Sequence, residues 1–137
     1  MKRFTIDQTV NEEQSRQKGV GYTVLKLEDP RIYLEIQIEE LGVELLNYVD
    51  EHAQTNVCID FDRVNFCSTA FLGKLIIVDR KLQKNGRNHL GLQNLCPEVY
   101  QTFAITRLDN LFDIDNESRN SYKTYKTYLE RTSQKLF

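Results

Sequence analysis

Val57-Cys58-Ile59-Asp60-Phe61-Asp62-Arg63-Val64-Asn65-Phe66-Cys67-Ser68-Thr69-Ala70-Phe71-Leu72-Gly73-Lys74-Leu75 decides the fold. Residues 56–61 alternate, with Val57, Ile59 and Phe61 on one side and Cys58 and Asp60 on the other, the period of a strand. After a turn at Asp62-Arg63, Val64 and Phe66 are apolar again. Ser68 and Thr69 then open a segment in which Phe71, Leu75, Val78 and Leu82 recur at helical spacing, with Leu72 and Ile76 beside them. Asp79, Arg80, Lys81 and Lys84 mark the wet side of that helix, and Asn85-Gly86 ends it with residues that tolerate the left-handed conformation.

Outward from this strand–turn–helix, the same alternation of elements continues. Phe4, Ile6 and Val10 mark an edge strand; the polar residues 11–19 lead to a turn at Gly19-Val20-Gly21. Tyr22 to Leu27 is a strand apolar on both faces, so burial on most of both sides is expected. Asp29-Pro30 breaks it. Residues 32–53 carry two signals. Ile32, Leu34, Ile36 and Ile38 recur at period two, whereas Ile38, Leu41, Leu45, Tyr48 and His52 recur at helical spacing. The helix is firm from Glu39 and can begin as early as Glu35. Leu90 and Leu92 mark a short strand, and Cys96-Pro97-Glu98 a helix start with proline at its first position. Val99, Tyr100 and Phe103 are the buried residues of that helix; Leu111, Phe112 and Ile114 mark a last strand. Tyr122, Tyr125 and Leu129 recur at helical spacing in a polar tail. The order β, β, α, β, α, β, α, β, α implies an α/β domain with a mostly parallel central sheet of about five strands. The domain takes residues 1–116, and 117–137 form a helical or flexible tail.

Composition narrows the function. The 137 residues hold 40% apolar and 28% charged side chains, a globular balance. Net charge is −2, with both signs interspersed, which argues against a nucleic-acid surface. Residues 117–137 hold five basic and two acidic residues, net +3, leaving −5 on residues 1–116. A basic tail of this kind binds an acidic partner or solvates a helix, and the second is expected. The longest apolar run is the four residues Leu75 to Val78, and no signal peptide is visible, so a cytoplasmic chain away from the membrane is the expectation. Cys58, Cys67 and Cys96 form no C-x-x-C, and His52 and His89 lie outside any ligand spacing, so buried thiols and no metal are expected. No catalytic or cofactor motif is present, which points away from an enzyme. Asp60 and Asp62 are two apart at a strand end; a solvated turn is expected there rather than a metal or ligand site.

A hydroxyl residue at a helix start is ordinarily a cap worth about 1 kcal/mol. The same position also welcomes an anion, because free backbone N–H groups and the helix dipole point at it. Beyond this, Asn65-Phe66-Cys67-Ser68-Thr69-Ala70-Phe71-Leu72-Gly73 resembles the signature of the STAS domain of bacterial anti-sigma factor antagonists, Asp-Ser-[Ser/Thr]-Gly-Leu-Gly after a strand and a hydrophobic turn. Phe66, Leu72 and Gly73 match directly; Thr69 falls on the family's phosphorylated serine and Ser68 on the acidic residue before it. Lys84-Asn85-Gly86, the stretch from His89 to Glu98, and Phe103 to Ile114 resemble the family's later turn, strands and third helix. Ala70 and Phe71 stand where the family has a hydroxyl residue and a glycine, and Phe71 is expected to enlarge the apolar surface there.

The resemblance implies a STAS-like domain with no cofactor and no catalytic residue. It implies that the chain binds an anti-sigma factor, an ATP-dependent serine/threonine kinase, and so frees a sigma factor. Phosphorylation at Thr69, with Ser68 as the lesser candidate, controls this, and a phosphatase reverses it. Ser68, Thr69, Ala70, Phe71, Leu72 and Lys74 are the expected partner contacts, with Asp29, Arg31 and Arg63 on the same rim. The alternative is a non-switching scaffold or ligand-sensing STAS module in a larger assembly. Whether the tail docks on its own domain or makes an oligomer contact stays open.

Overall fold

The computed structural model describes residues 3–10 and 21–135. The turn expected at Gly19-Val20 and the polar stretch before it lie outside these residues. Strands β1 (Phe4–Val10), β2 (Gly21–Leu27), β4 (Thr55–Asp60), β6 (Gly91–Gln93) and β7 (Asp113–Ile114) form a five-stranded sheet in the order β1-β2-β4-β6-β7. The β1–β2 pair is antiparallel, with an irregularity between Ile6 and Gln8; the other pairs are parallel. The parallel strands are joined by α1 (Glu35–Glu51), α2 (Thr69–Lys84) and α3 (Pro97–Ile105), and α4 (Asn116–Lys135) follows the last strand. Successive crossovers advance one way across the sheet, so right-handedness puts these helices on one face.

One hydrophobic core fills the space between sheet and helices. Leu25, Leu27, Val57, Ile59, Phe61 and Leu92 supply the sheet side. Leu41 and Leu45 of α1, Phe71, Leu75 and Leu82 of α2, and Val99 and Phe103 of α3 supply the helix side. The helical periodicities of the sequence are the ones that bury. Gly86 ends α2 with φ +73°, and the N–H of Arg87 donates to the Leu82 carbonyl at 2.9 Å, closing the helix as its left-handed residue allows.

The sequence expectations need three corrections here. Only one face of β2 joins the core; on the other, Val24 is buried while Tyr22 and Lys26 stay half-buried. With the crossover helices on one side, that second face is the sheet's outer surface, which pattern alone cannot tell from a second core. The period-two run after Asp29 gives only a two-residue strand, β3 (Arg31–Ile32), before α1 begins at Glu35; Leu34 and Ile36 are exposed. Asp79 is not on the wet side of α2: it is 3% exposed, and its carboxylate accepts the Leu90 N–H at 2.7 Å and faces His89 Nδ1 at 3.1 Å. A carboxylate with such partners tolerates burial.

Candidate functional site

Strand β3 pairs in parallel with β5 (Phe66–Cys67), Arg31 opposite Phe66 and Ile32 opposite Cys67. Three further backbone bonds tighten the junction: Asn65 N–H to Pro30 O at 2.7 Å, Phe66 N–H to the same oxygen at 3.3 Å, and Ser68 N–H to Ile32 O at 2.9 Å. This small sheet lies beyond the C-terminal ends of β2 and β4, the place where open parallel sheets gather their functional loops. It fastens the segment after β2 to the start of α2, with Arg31 opposite Phe66 and the Ile32 carbonyl on the Ser68 N–H.

Ser68 occupies the cap position of α2, with extended backbone at φ −81°, ψ 161°. Its side chain makes no cap hydrogen bond, and Oγ is buried with no partner among the described residues. The expected serine cap is therefore absent. No acidic residue stands in the first turn either. Helix geometry leaves the leading N–H groups without intrahelical partners, and among the described residues no side chain answers them. Thr69 and Ala70 follow, both exposed.

Phe71 and Leu72 are 0% and 1% exposed, so the expectation that Phe71 enlarges an exposed apolar surface is overturned. Phe71 turns inward to meet Phe61, ring centroids 6.4 Å apart, because the stripe that begins with it is the core stripe of α2. These two residues hold the site from beneath. The exposed apolar groups come from elsewhere. Phe66 and Tyr33 are 40% and 51% exposed, their rings 6.5 Å apart, and the Arg31 guanidinium lies over both, 4.9 Å from Phe66 and 5.5 Å from Tyr33. Sequence reasoning named Arg31 but missed Tyr33 as its partner; the pairing needs the β3–β5 register, which two-residue strands do not announce.

Lys74 is half-buried and pairs with Glu39 at 2.7 Å, its stem lying across Gly42. A Cβ on Gly42 would meet Lys74 Cδ at 3.0 Å, so glycine there makes room for that crossing. Arg63 pairs with Glu28 on the same rim. Asp29 faces the other way, toward Arg3 Nη1 at 3.0 Å and Gln37 Nε2 at 3.0 Å. Gln37 is 6% exposed and was not singled out from sequence. Its Oε1 accepts the N–H groups of Tyr33 and Leu34 at 3.0 and 3.2 Å, and its Nε2 also donates to Arg31 O at 2.8 Å. Its place as the third residue of α1 was the available signal.

Below the rim, Asp60 is buried rather than part of a solvated turn: Oδ1 accepts Asp62 N–H at 2.9 Å and Asn94 Nδ2 at 3.0 Å. That ties the ends of β4 and β6 together. Burial pushes the thiols of Cys58 and Cys67 up to about 12, so both stay protonated at neutral pH. Among the described residues no cluster of three metal-ligating side chains occurs, and no helix is long and apolar enough to cross a membrane.

No family model matches the sequence. BtrV of Bordetella bronchiseptica, named as an anti-sigma factor antagonist, is 29% identical over 93 residues, 68% of this chain and 78% of BtrV. A STAS-domain protein of Planctomyces limnophilus superposes with a TM-score of 0.64 at 15% identity, over 90% of this chain and 98% of the other. The Bacillus anti-sigma factor antagonist SpoIIAA superposes at 16% identity in both its forms. The TM-score is 0.61 for the unphosphorylated form, over 90% of this chain and 96% of that one. It is 0.55 for the phosphorylated form, over 88% and 98%. With that sheet order, that helix arrangement and these superpositions, the chain has the STAS fold, and its sequence is similar to that of an anti-sigma factor antagonist.

Proposed function

We propose that this chain is an anti-sigma factor antagonist. It docks an anti-sigma factor at the start of α2, and a phosphate on Thr69 controls that docking. The observation that carries the reading is the uncapped N-terminus of α2, where an orphaned Ser68 hydroxyl sits beside an exposed Thr69. A partner would rest on Thr69, Ala70 and the Arg31–Tyr33–Phe66 cluster, with Lys74 and Arg63 around them; Asp29, held by Arg3 and Gln37, stays outside that surface. Phe71 and Leu72 fix the height of that surface from the core. The partner, in this reading, is a serine/threonine kinase that uses ATP, and the chain itself performs no catalysis.

The switch follows from electrostatics. A phosphate carries about −1.5 to −2 charges at neutral pH. At a helix N-terminus the folded chain tolerates that charge, because free N–H groups and the helix dipole receive it. A partner packed against the unmodified threonine must instead desolvate it, and each 1.4 kcal/mol of difference is about tenfold in affinity. Folding is thus spared while binding is lost, which is what a reversible control requires. Bacterial, cytoplasmic transcription control would be its setting, with a phosphatase resetting the threonine.

The test takes the purified chain, the cognate anti-sigma kinase and ATP. Thr69→Ala is expected to bind the kinase and take up no phosphate; Thr69→Asp is expected to bind at least tenfold more weakly with an unchanged melting temperature. Phosphate mapped by mass spectrometry to another residue, or equal binding by the two variants, overturns the switch. In that event a non-switching STAS scaffold is the better description.

A further inference from the structure

The last helix is anchored at one end only. In its first two turns, Ser118 Oγ accepts the Leu95 N–H at 2.9 Å. Arg119 donates to the Tyr100 hydroxyl at 3.1 Å and to the carbonyls of Asp109 and Ile114 at 3.0 and 3.2 Å. Tyr122 stacks on Tyr100 with ring centroids 4.6 Å apart. From Lys123 through Ser133 no side chain is buried. Tyr128 and Leu129 are 65% and 41% exposed. Yet Tyr122, Tyr125, Leu129 and Thr132 follow one another at intervals of three, four and three, a seam rather than a random surface. Lys126 lies beside it, with Lys123 and Arg131 farther round the helix, and none of the three has an ion-pair partner among the described residues.

The complementary surface is on the same molecule. Helix α1 holds six acidic residues and no lysine or arginine, against five basic and two acidic in α4. Its outer face exposes Ile36 and Val43, 67% and 55%, seven residues apart and interleaved with Glu39, Glu40 and Glu44. Beside Val43 runs a groove of about 700 Å³ lined by Arg3, Glu28, Asp29, Glu40 and Glu44. Arg3, Lys74 and Lys81 answer three of the α1 carboxylates internally, which leaves the face negative. In the fold, α4 leaves from β7 at one sheet edge, whereas α1 follows β2, three strands away. Its anchored start holds α4 at that far edge.

We propose that the outer half of α4 docks on the α1 face of a second copy of this chain. Basic residues and tyrosines meet carboxylates and two exposed aliphatic side chains. Pairing α4 with α4 would instead bring two positive helices together. One helix on one helix is a small contact; reciprocal exchange between two copies doubles it and closes a dimer about a two-fold axis. The start of α2 takes no part, so the fate of this proposal is independent of the anti-sigma reading.

Sedimentation equilibrium of the full chain tests it, at about 50 mM and about 500 mM NaCl, where screening differs most. A dimer that weakens at least tenfold in high salt is expected. Lys123→Glu/Lys126→Glu on α4, or Val43→Lys on α1, is expected to weaken it by tenfold or more. Mixing those two variants is expected to restore a dimer, since the reversed charges then meet. Val43→Lys touches none of the α1 ion pairs, and Leu129→Asp gives a second disruption of α4 should the double variant unfold by circular dichroism. Three results overturn the proposal: a chain that stays monomeric up to about 0.5 mM at low salt, association indifferent to Val43→Lys but lost with the α4 variants, or no recovery on mixing. The second of these would mean that α4 pairs with its own kind.

Discussion

Helices α1 and α2 lie side by side, but they begin in opposite ways. The start of α1 is closed: Gln37 accepts two backbone N–H groups and donates to a carbonyl and to Asp29, and the Arg3 guanidinium bridges Asp29 and Glu40. The start of α2 is open: its cap serine's hydroxyl has no partner among the described residues, its first turn holds no carboxylate, and its first threonine is exposed. Native proteins satisfy nearly all buried polar groups, so a buried hydroxyl left alone asks for a reason. The contrast between neighbours supplies one. This sequence can close a helix start when only stability is at stake, and the start it leaves open is the one proposed above as the docking site.

The largest way to break the contrast is to attack what holds the open start in place. Phe71→Ala is expected to cost about 3–5 kcal/mol, the ordinary loss for a fully buried phenyl ring. Urea denaturation would read it as a fall in midpoint at constant slope. A loss below about 1 kcal/mol would mean that the α2 start rests on the small β3–β5 sheet alone.

Gln37→Ala comes next, on the closed side. It leaves two backbone N–H groups and one carbonyl without their partner at a nearly buried site, for which about 1–3 kcal/mol is expected. Hydrogen exchange should rise at Tyr33 and Leu34 specifically, the two amides that Gln37 holds. If their protection survives, the closure of α1 comes from packing and the comparison loses one of its sides.

How far the sequence carried these assignments depends on the length of each signal. Alternation over Val57, Ile59 and Phe61 and helical spacing over Phe71, Leu75, Val78 and Leu82 run for several periods, and they recovered the main strands and helices and much of the core. The β3–β5 pair is two residues long on each side, too short for any period, so the juxtaposition of Arg31, Tyr33 and Phe66 was invisible. Asp79 and Asp60 are polar, and in a sequence polarity alone stands for exposure. Their burial depends on the N–H groups of Leu90 and Asp62, partners that a hydrophobic pattern does not record. Gln37 failed to register for the same reason. Ser68 is the reverse case: its type and position pointed to a cap, and the hydrogen bond is missing.

The residue before that serine gives a smaller test. Cys67 pairs with Ile32 across the small sheet, and burial pushes its thiol up to about 12, with Cys96 nearby adding to the shift. A thiol pKa raised in the folded chain means that the unfolded chain loses its proton first. Stability is therefore unaffected below the ordinary thiol pKa near 9 and falls above it, by roughly 1 kcal/mol per pH unit for each such thiol. Cys58, with its thiol also at about 12, acts alike. Melts between pH 8 and 11 should show a decline that Cys67→Ala makes shallower. An unchanged decline would place water at the root of the open start.

The smallest effect is the most pointed. An ordinary cap serine loses about 1 kcal/mol on truncation to alanine. Ser68 makes no cap bond and buries its hydroxyl, so Ser68→Ala is expected to leave stability unchanged or to raise it slightly, since a desolvated polar atom is removed with nothing lost in return. A loss of a full kcal/mol in urea denaturation would show that in solution the hydroxyl does reach the N–H groups of the first turn. The two helix starts would then be alike in kind, and the open start would be open only when something comes to occupy it.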